Sequence, residues 1–279
     1  MQIVTSRFRH RGDNVYFDHT KLFFMDLKTV GRLGIALFLT IGMSCRSQYQ
    51  MTGIERSRVL VDRSFDTQYD ASLERFIAPY RHEVDSIMSP VVGKAARYMS
   101  AQRPESILSN LLADILMWAA KDYHEQPDLA VYNVGGIRAA FAEGNVTYGD
   151  VLDVAPFENK ICFLTLTGEK LLELFSQIAS VGGEGVSHGV ELVITKDNRL
   201  SGVCLNGHDI NPSANYRIAT LDYLAQGNDK MYAFKDKTQV NAPQDASNNV
   251  RFIIMNYFRE KMEQGEAVDS RMEGRIIVE

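Results

Sequence analysis

"VYNVGGIRAAFAEGNVTYGDV", residues 131–151, is the stretch on which the reading of this chain turns. An apolar run reaches Tyr132 and breaks into Asn133, Val134 and the pair Gly135-Gly136. Arg138 follows, and a Gly144-Asn145 turn starts the next segment. Glycines placed directly after a strand let the backbone approach another group closely. Asn133 and Arg138 then project from one loop, which is either a binding edge or a tight connection.

The flanking sequence sets the class. Leu73, Phe76, Ile77, Tyr80, Val84, Ile87 and Met88 recur at helical spacing over 71–88, and "VVGKAARYM" (91–99) reads as a strand leading away. In "RPESILSNLLADILMWAAKDY" (103–123) a broad apolar stripe predicts a helix whose first turn holds Pro104 and Glu105. "DLAVYNV" (128–134) and "NKICFLTLTG" (159–168) are predicted strands, and "GEKLLELFSQIASV" (168–181) a helix. Asp197-Asn198 and Asn206-Gly207 carry hairpin chemistry inside an alternating stretch. "NYRIATLDYLAQG" (215–227) is a strand running into a loop, and the helix of "NNVRFIIMNYFREKMEQG" (248–265) closes at Gly265. Helices and hairpins interleave without a βαβ series, so the fold class is α+β, a single mixed helix/sheet domain over 71–279.

Composition narrows the function. The 279 residues are 45% hydrophobic and 23% charged, enough for a sizeable core. A net charge of −5 leaves no electrostatic footprint for a nucleic-acid polymer. Three cysteines (Cys45, Cys162 and Cys204) form no disulfide framework and no C-x-x-C pair. Cys162 and Cys204 lie in strand-like segments and read as buried, inert thiols.

Cys45 is different. Lys28 and Arg32 precede the apolar run Leu33–Met43, and small residues lead into that cysteine. The run falls short of the roughly 17–25 residues that span a bilayer. It fits a secretory apolar region of roughly 7–15 residues behind a basic flank. The lone Cys45 resembles the lipidated cysteine of a bacterial lipoprotein signal, although Gly42 stands where that pattern prefers Leu; a buried helix or plain anchor is the alternative. On this reading residues 1–24 are a non-native extension, 25–45 the signal, and 46–70 a polar tether with one short strand, "RVLVD" (58–62). The expected location is the bacterial cell envelope, with the membrane reached through a lipid on Cys45.

Few residues offer chemistry outright. His208 in "LNGHDIN" superficially resembles a metallophosphatase signature, but Asn206-Gly207 is hairpin chemistry and no second ligand cluster accompanies it. No Gly-x-Ser-x-Gly elbow, Walker loop or dinucleotide fingerprint is present, and "VGGEGVSHGV" (181–190) reads as a flexible loop. What stands out is a set of loop residues: Asn133 and Arg138, then Phe157 and Asn159 in "APFENK", then Tyr223 and Asp229 in "DYLAQGND". Two aromatics with Arg, Asn and Asp suit a flat ligand bearing hydroxyls or phosphate. A loop aromatic also serves as a core plug, and an arginine after a glycine pair as an ordinary surface residue. The residue types leave those readings open.

The blocks "RPESILSNLLADIL", "NVGGIRAAFAEGNVTYGDVLDVAPFENKICFLTLTGEKLLELF" and "NYRIATLDYLAQGND" resemble, in order, the C-terminal domain of the 5′-nucleotidase family. The family's Asn-Gly-Gly-Gly-Ile-Arg appears as Asn133–Arg138, its Pro-Phe-Gly-Asn as Pro156–Asn159, and its Asp/Phe-Leu-Ala-x-Gly-Gly-Asp as Tyr223–Asp229. The resemblance implies nucleoside recognition, with Phe157 and Tyr223 sandwiching the base, Asp229 holding the ribose, and Asn133, Asn159 and Arg138 completing the pocket. Arg103 stands near another substrate arginine of the family. Val134 and Asn228 replace glycines, which implies turns with less freedom at positive φ; Glu158 adds a charge beside the base pocket.

The family's two-metal phosphoesterase half has no counterpart in this sequence. No cofactor is expected in this chain, and a divalent metal pair is expected only on a partner metallophosphatase chain. The resulting expectation is the nucleotide-recognition half of a 5′-nucleotidase-type phosphomonoester hydrolase. The alternative is a non-catalytic, lipid-anchored nucleoside-binding or scaffold protein.

Overall fold

The computed structural model of the chain describes Arg63 and residues 70–279; the latter lie within one unit, Tyr69–Glu279. The expected extension, the signal with Cys45, and the strand at 58–62 lie outside the described residues. In chain order the elements are α1 (Ala71–Met88), β1 (Val91–Ala95), α2 (Ile107–Ala119), β2 (Leu129–Tyr132), β3 (Gly144–Thr147) and α3 (Tyr148–Val154). Then come β4 (Ile161–Thr167), α4 (Gly168–Ser180), β5 (Gly185–Val186), β6 (Val190–Ile194), β7 (Leu200–Leu205) and β8 (His208–Asp209). β9 (Asn215–Leu221), α5 (Asp222–Ala225), β10 (Thr238–Asn241), α6 (Val250–Glu263) and β11 (Ile276–Val278) complete the α+β fold.

Strand alternation decides where the core sits. The central sheet has the order β10-β4-β9-β2-β5. From β4, Ile161 and Phe163 enter one core while Cys162, Leu164 and Leu166 enter the other. β2 divides the same way, with Ala130 and Tyr132 against Leu129 and Val131, and β9 sends Ala219 and Leu221 opposite to Ile218. Successive side chains on a strand point to opposite faces. A strand apolar at every position therefore needs a cover on both sides. α2, α3 and α6 supply one cover; α4 and the second sheet, β11-β6-β7-β8, supply the other.

Turn chemistry follows the sequence. Asn206 and Gly207 both have positive φ, 52° and 75°, as a two-residue hairpin of this hand requires. His208 thus begins a two-residue strand and is exposed. Gly265 closes α6 at φ 75°.

Four expectations are corrected. α2 begins at Ile107 with Ser106 as its N-cap in a reciprocal pair with Ser109, not at Pro104. Glu105 is buried instead, its carboxylate accepting from Asn110 Nδ2 at 2.6 Å and Glu273 N at 2.9 Å. Residues 181–190 are no loose loop: Gly185–Val186 pairs with β2, and the buried Ser187 Oγ accepts from Ala130 N at 2.8 Å. Burial pushes the Cys162 thiol up to about 11, but Cys204 is only half-buried, its thiol 3.5 Å from Glu191 Oε2. Neither Val134 nor Asn228 has a positive φ, so replacing glycine costs those turns no freedom in that region.

α1 forms as its spacing predicts, capped by Asp70 through Ser72 N and Leu73 N, yet no residue of it is buried. Leu73, Phe76, Tyr80, Val84 and Ile87 are all more than half exposed. The doubly covered sheet, not this helix, carries the stability. Leu164→Ala is therefore expected to lower the unfolding free energy by about 2–5 kcal/mol. Phe76→Ala should change it by no more than about 0.5 kcal/mol. Urea titration of both variants measures this; equal losses would contradict the account.

Candidate functional site

The candidate residues come from three segments that the sheet gathers at one end, with Tyr223 on the short helix α5 rather than on a loop. β4 and β9 pair antiparallel over their whole length, so Ile161, the first residue of β4, faces Leu221, the last of β9. β2 runs parallel to β9 through Leu129–Ile218 and Ala130–Ala219. The segments before β4, after β9 and after β2 therefore leave the sheet at the same edge. Asp222 stitches two of them together. Its carboxylate accepts from Lys160 N at 3.0 Å and Tyr223 N at 2.8 Å, while its own N–H donates to Lys160 O at 2.8 Å. Asn159 O accepts from Val250 N at 2.9 Å, fixing the Phe157 loop to α6.

These loops enclose a cleft of about 210 Å³ lined by Asn133, Gly135, Gly136, Phe157, Asn159, Tyr223 and Asp229. Phe157 is 49% exposed and Tyr223 36%, so neither ring is a core plug. The volume is below the roughly 300–1,000 Å³ of pockets that engulf a drug-sized ligand. It is a slot for one flat ring system rather than for a whole nucleotide.

Asp229 closes the slot. Tyr223 Oη donates to its Oδ1 at 2.9 Å and Asn133 Nδ2 to its Oδ2 at 2.8 Å. Hydrogen bonds to an ionised acceptor are each worth about 1.5–3 kcal/mol. They hold a strained turn: Gly227, Asp229 and Lys230 have φ of 84°, 52° and 66°. Asn228 Nδ2 secures the same turn by donating to Tyr223 O at 2.8 Å. Because Asn133 turns its Nδ2 to the carboxylate, its Oδ1 is left buried without a partner. A Cβ on Gly136 would lie 2.7 Å from that oxygen, so a side chain there would displace the clamp.

A second cleft of about 200 Å³ adjoins the first, sharing Gly135 and Asp229 and adding Arg103, Val181, Glu184 and Lys230. Glu184 is buried and accepts from Val134 N and from the Arg103 guanidinium, whose Nε also donates to Gly183 O at 2.7 Å. Burial pushes the Glu184 pKa up; the Val134 amide and Arg103 oppose this, while the charge of Asp229 reinforces it.

Of the seven candidate ligand contacts, Asn133, Phe157, Asn159, Tyr223 and Asp229 share the first cleft and Arg103 lines the second. Arg138 lies outside both linings, exposed, its Nη1 3.4 Å from Gly135 O. Glu158 is exposed and lines neither cleft, so water screens its charge. Among the described residues no three His, Cys, Asp or Glu side chains converge to hold a metal ion. They thus offer no donor set for a hydrolytic metal pair, and no step through one is assigned to them. Sequence reasoning missed Asp222, Glu184 and Lys230. An acid between two glycines, as in Gly183-Glu184-Gly185, was the available signal for Glu184.

The family model described as 5′-nucleotidase, C-terminal domain matches residues 91–236. The chain is 26% identical over 230 residues to the trifunctional nucleotide phosphoesterase protein YfkN of Bacillus subtilis, covering 75% of this chain and 15% of that protein. It is 24% identical over 208 residues to a 5′-nucleotidase of Vibrio cholerae, covering 71% of this chain and 36% of that one. The crystal structure of a 5′-nucleotidase precursor from Thermus thermophilus superposes with a TM-score of 0.64 at 24% identity, over 74% of this chain and 42% of that chain. This last likeness concerns the fold alone. The chain thus spans less than half the length of each of these relatives.

The contact between phenol and carboxylate has a measurable signature. The hydrogen bond to Asp229, more than desolvation, raises the Tyr223 pKa above the ordinary tyrosine value. Tyr223 therefore stays a donor to higher pH than a free tyrosine does. In 13C NMR of tyrosine-labelled protein, its titration should lie above that range in the wild type and fall in Asp229→Asn. A Tyr223 titration that the substitution leaves in place would contradict the contact.

Proposed function

Because this chain belongs to the 5′-nucleotidase C-terminal domain family, we propose that it is the nucleotide-recognition half of a phosphomonoester hydrolase, working with a separately encoded metallophosphatase chain. The observation that carries this is the single slot bearing two exposed aromatic rings, a held carboxylate and the Asn159 amide. Phe157 and Tyr223 stack on the two faces of the base, and Asn159 bonds its edge. Asp229 accepts from the ribose hydroxyls. Arg103, in the adjoining cleft, is already paired with the buried Glu184 and presents its remaining N–H groups to an anion. The metal pair on the partner would supply the activated water; this chain's residues bind and orient the nucleoside.

A second reading, a nucleoside-binding or scaffold protein without catalysis, needs only the slot. Envelope attachment through a lipid on Cys45 belongs to both readings. Its check is palmitate incorporation that Cys45→Ser abolishes.

Calorimetry with adenosine, AMP and UDP-sugars tests the slot. Stacking on one aromatic is worth about 1–3 kcal/mol, so Phe157→Ala should weaken binding roughly 5- to 150-fold. A metallophosphatase chain of the same organism should then hydrolyse AMP faster when this protein is added. Binding without complex formation or stimulation would favour the second reading. Absence of binding by the wild type would overturn nucleoside recognition altogether.

A further inference from the structure

The slot contains one interaction that a stacking wall does not need. A phenylalanine at 223 would present the same ring to a base. In this chain the ring bears a hydroxyl that is committed to Asp229 Oδ1 at 2.9 Å, while Asn133 Nδ2 takes Oδ2 at 2.8 Å. An ionised carboxylate offers about four acceptor positions, two on each oxygen. One position on each oxygen is thus filled by protein, and one on each remains.

The two filled positions fix the plane of the carboxylate. Asp229 sits in the left-handed region, between Gly227 and Lys230 in a turn with three positive φ values, so its backbone already restricts where the side chain can reach. Tyr223 comes from α5, directly after β9, and Asn133 from the loop after β2. Together they remove the remaining freedom, rotation of the carboxylate about its own axis. What is left is a pair of acceptors, side by side at the edge of the slot, matched to two adjacent hydroxyl groups. That pattern belongs to a vicinal diol. A single hydroxyl would leave one acceptor unmet, and burying an unpaired charged acceptor is costly.

We propose that Tyr223 is a specificity-determining positioning residue: through its hydroxyl it orients Asp229 to select ligands with a vicinal diol, that is ribonucleosides and ribonucleotides, over 2′-deoxy forms and free bases. This rests on the reading of the cleft as a nucleoside slot and adds a selectivity which that reading does not require. One side chain then serves as both wall and lever. Its ring meets the base, and its hydroxyl acts on the sugar through a second residue.

The test compares adenosine, 2′-deoxyadenosine and adenine by calorimetry on the full chain. The wild type should prefer adenosine. Tyr223→Phe, which keeps the ring, should lower adenosine affinity roughly tenfold more than it lowers adenine affinity, and the preference over 2′-deoxyadenosine should shrink with it. In an Asp229→Asn background the added Tyr223→Phe change should have no further selective effect, since the two act as one unit. Nitrogen-15 spectra of each variant report whether the fold is intact. The proposal is overturned if Tyr223→Phe preserves the full preference for adenosine. It is overturned equally if the variant loses adenine and adenosine alike, or if its effect persists undiminished beside Asp229→Asn. A wild type that binds these ligands without distinguishing the diol sinks this proposal and leaves the slot standing. A wild type that binds none of them sinks both.

Discussion

The antiparallel pairing of β4 with β9 is the constraint from which the site follows. Seven consecutive pairs, Ile161–Leu221 to Thr167–Asn215, leave no slack in the register. A slip of one residue would turn Phe163 and Leu164 to the wrong cores, because side chains alternate with period two. With both faces of the sheet covered, that error has no solvent side to absorb it. The register therefore places the start of β4 opposite the end of β9. Asp222 then joins the two loop ends through the backbone of Lys160 and Tyr223. The positions of Phe157 and Tyr223 are consequences of core packing in the strands that adjoin them.

The same packing governs the charged groups at that end of the sheet. Burying a charge in either core would cost several kcal/mol without a partner, and the carboxylates that line the clefts or tie their loops are held by donors. Asp222 takes backbone amides, Glu184 takes Val134 N and Arg103, and Asp229 takes Tyr223 and Asn133. Asn133 Oδ1, by contrast, is left unsatisfied by the clamp. Such an orphan costs on the order of 1–3 kcal/mol. It is tolerated because the same amide spends its donor on the charge that shapes the site.

Much of this was legible in the sequence, and what was not has a physical cause. "DLAVYNV" and "NKICFLTLTG" were legible as strands and Asn206-Gly207 as a hairpin turn, but the covers on both faces of the sheet come from elements distant in sequence. The loop aromatics were legible as residue types, but only exposure separates a wall from a plug. Pro104 and Glu105 suit a first helical turn, yet Glu105 is claimed by the distant backbone of Glu273, a contact no local rule anticipates. Glu184 lay hidden among glycines that suggested a loose loop, because tight packing against Pro104 and Tyr132 also selects glycine. α1 shows the reverse: the spacing gives the helix but not a burial partner, and its apolar face is exposed.

The account reduces to a base lying between two rings with its sugar on a clamped acid. A crystal structure of the chain grown with adenosine tests this most directly. The account predicts the adenine ring between Phe157 and Tyr223, with the ribose hydroxyls within hydrogen-bond distance of Asp229. Adenosine bound away from these residues, or the slot left empty while calorimetry reports saturation, would contradict it.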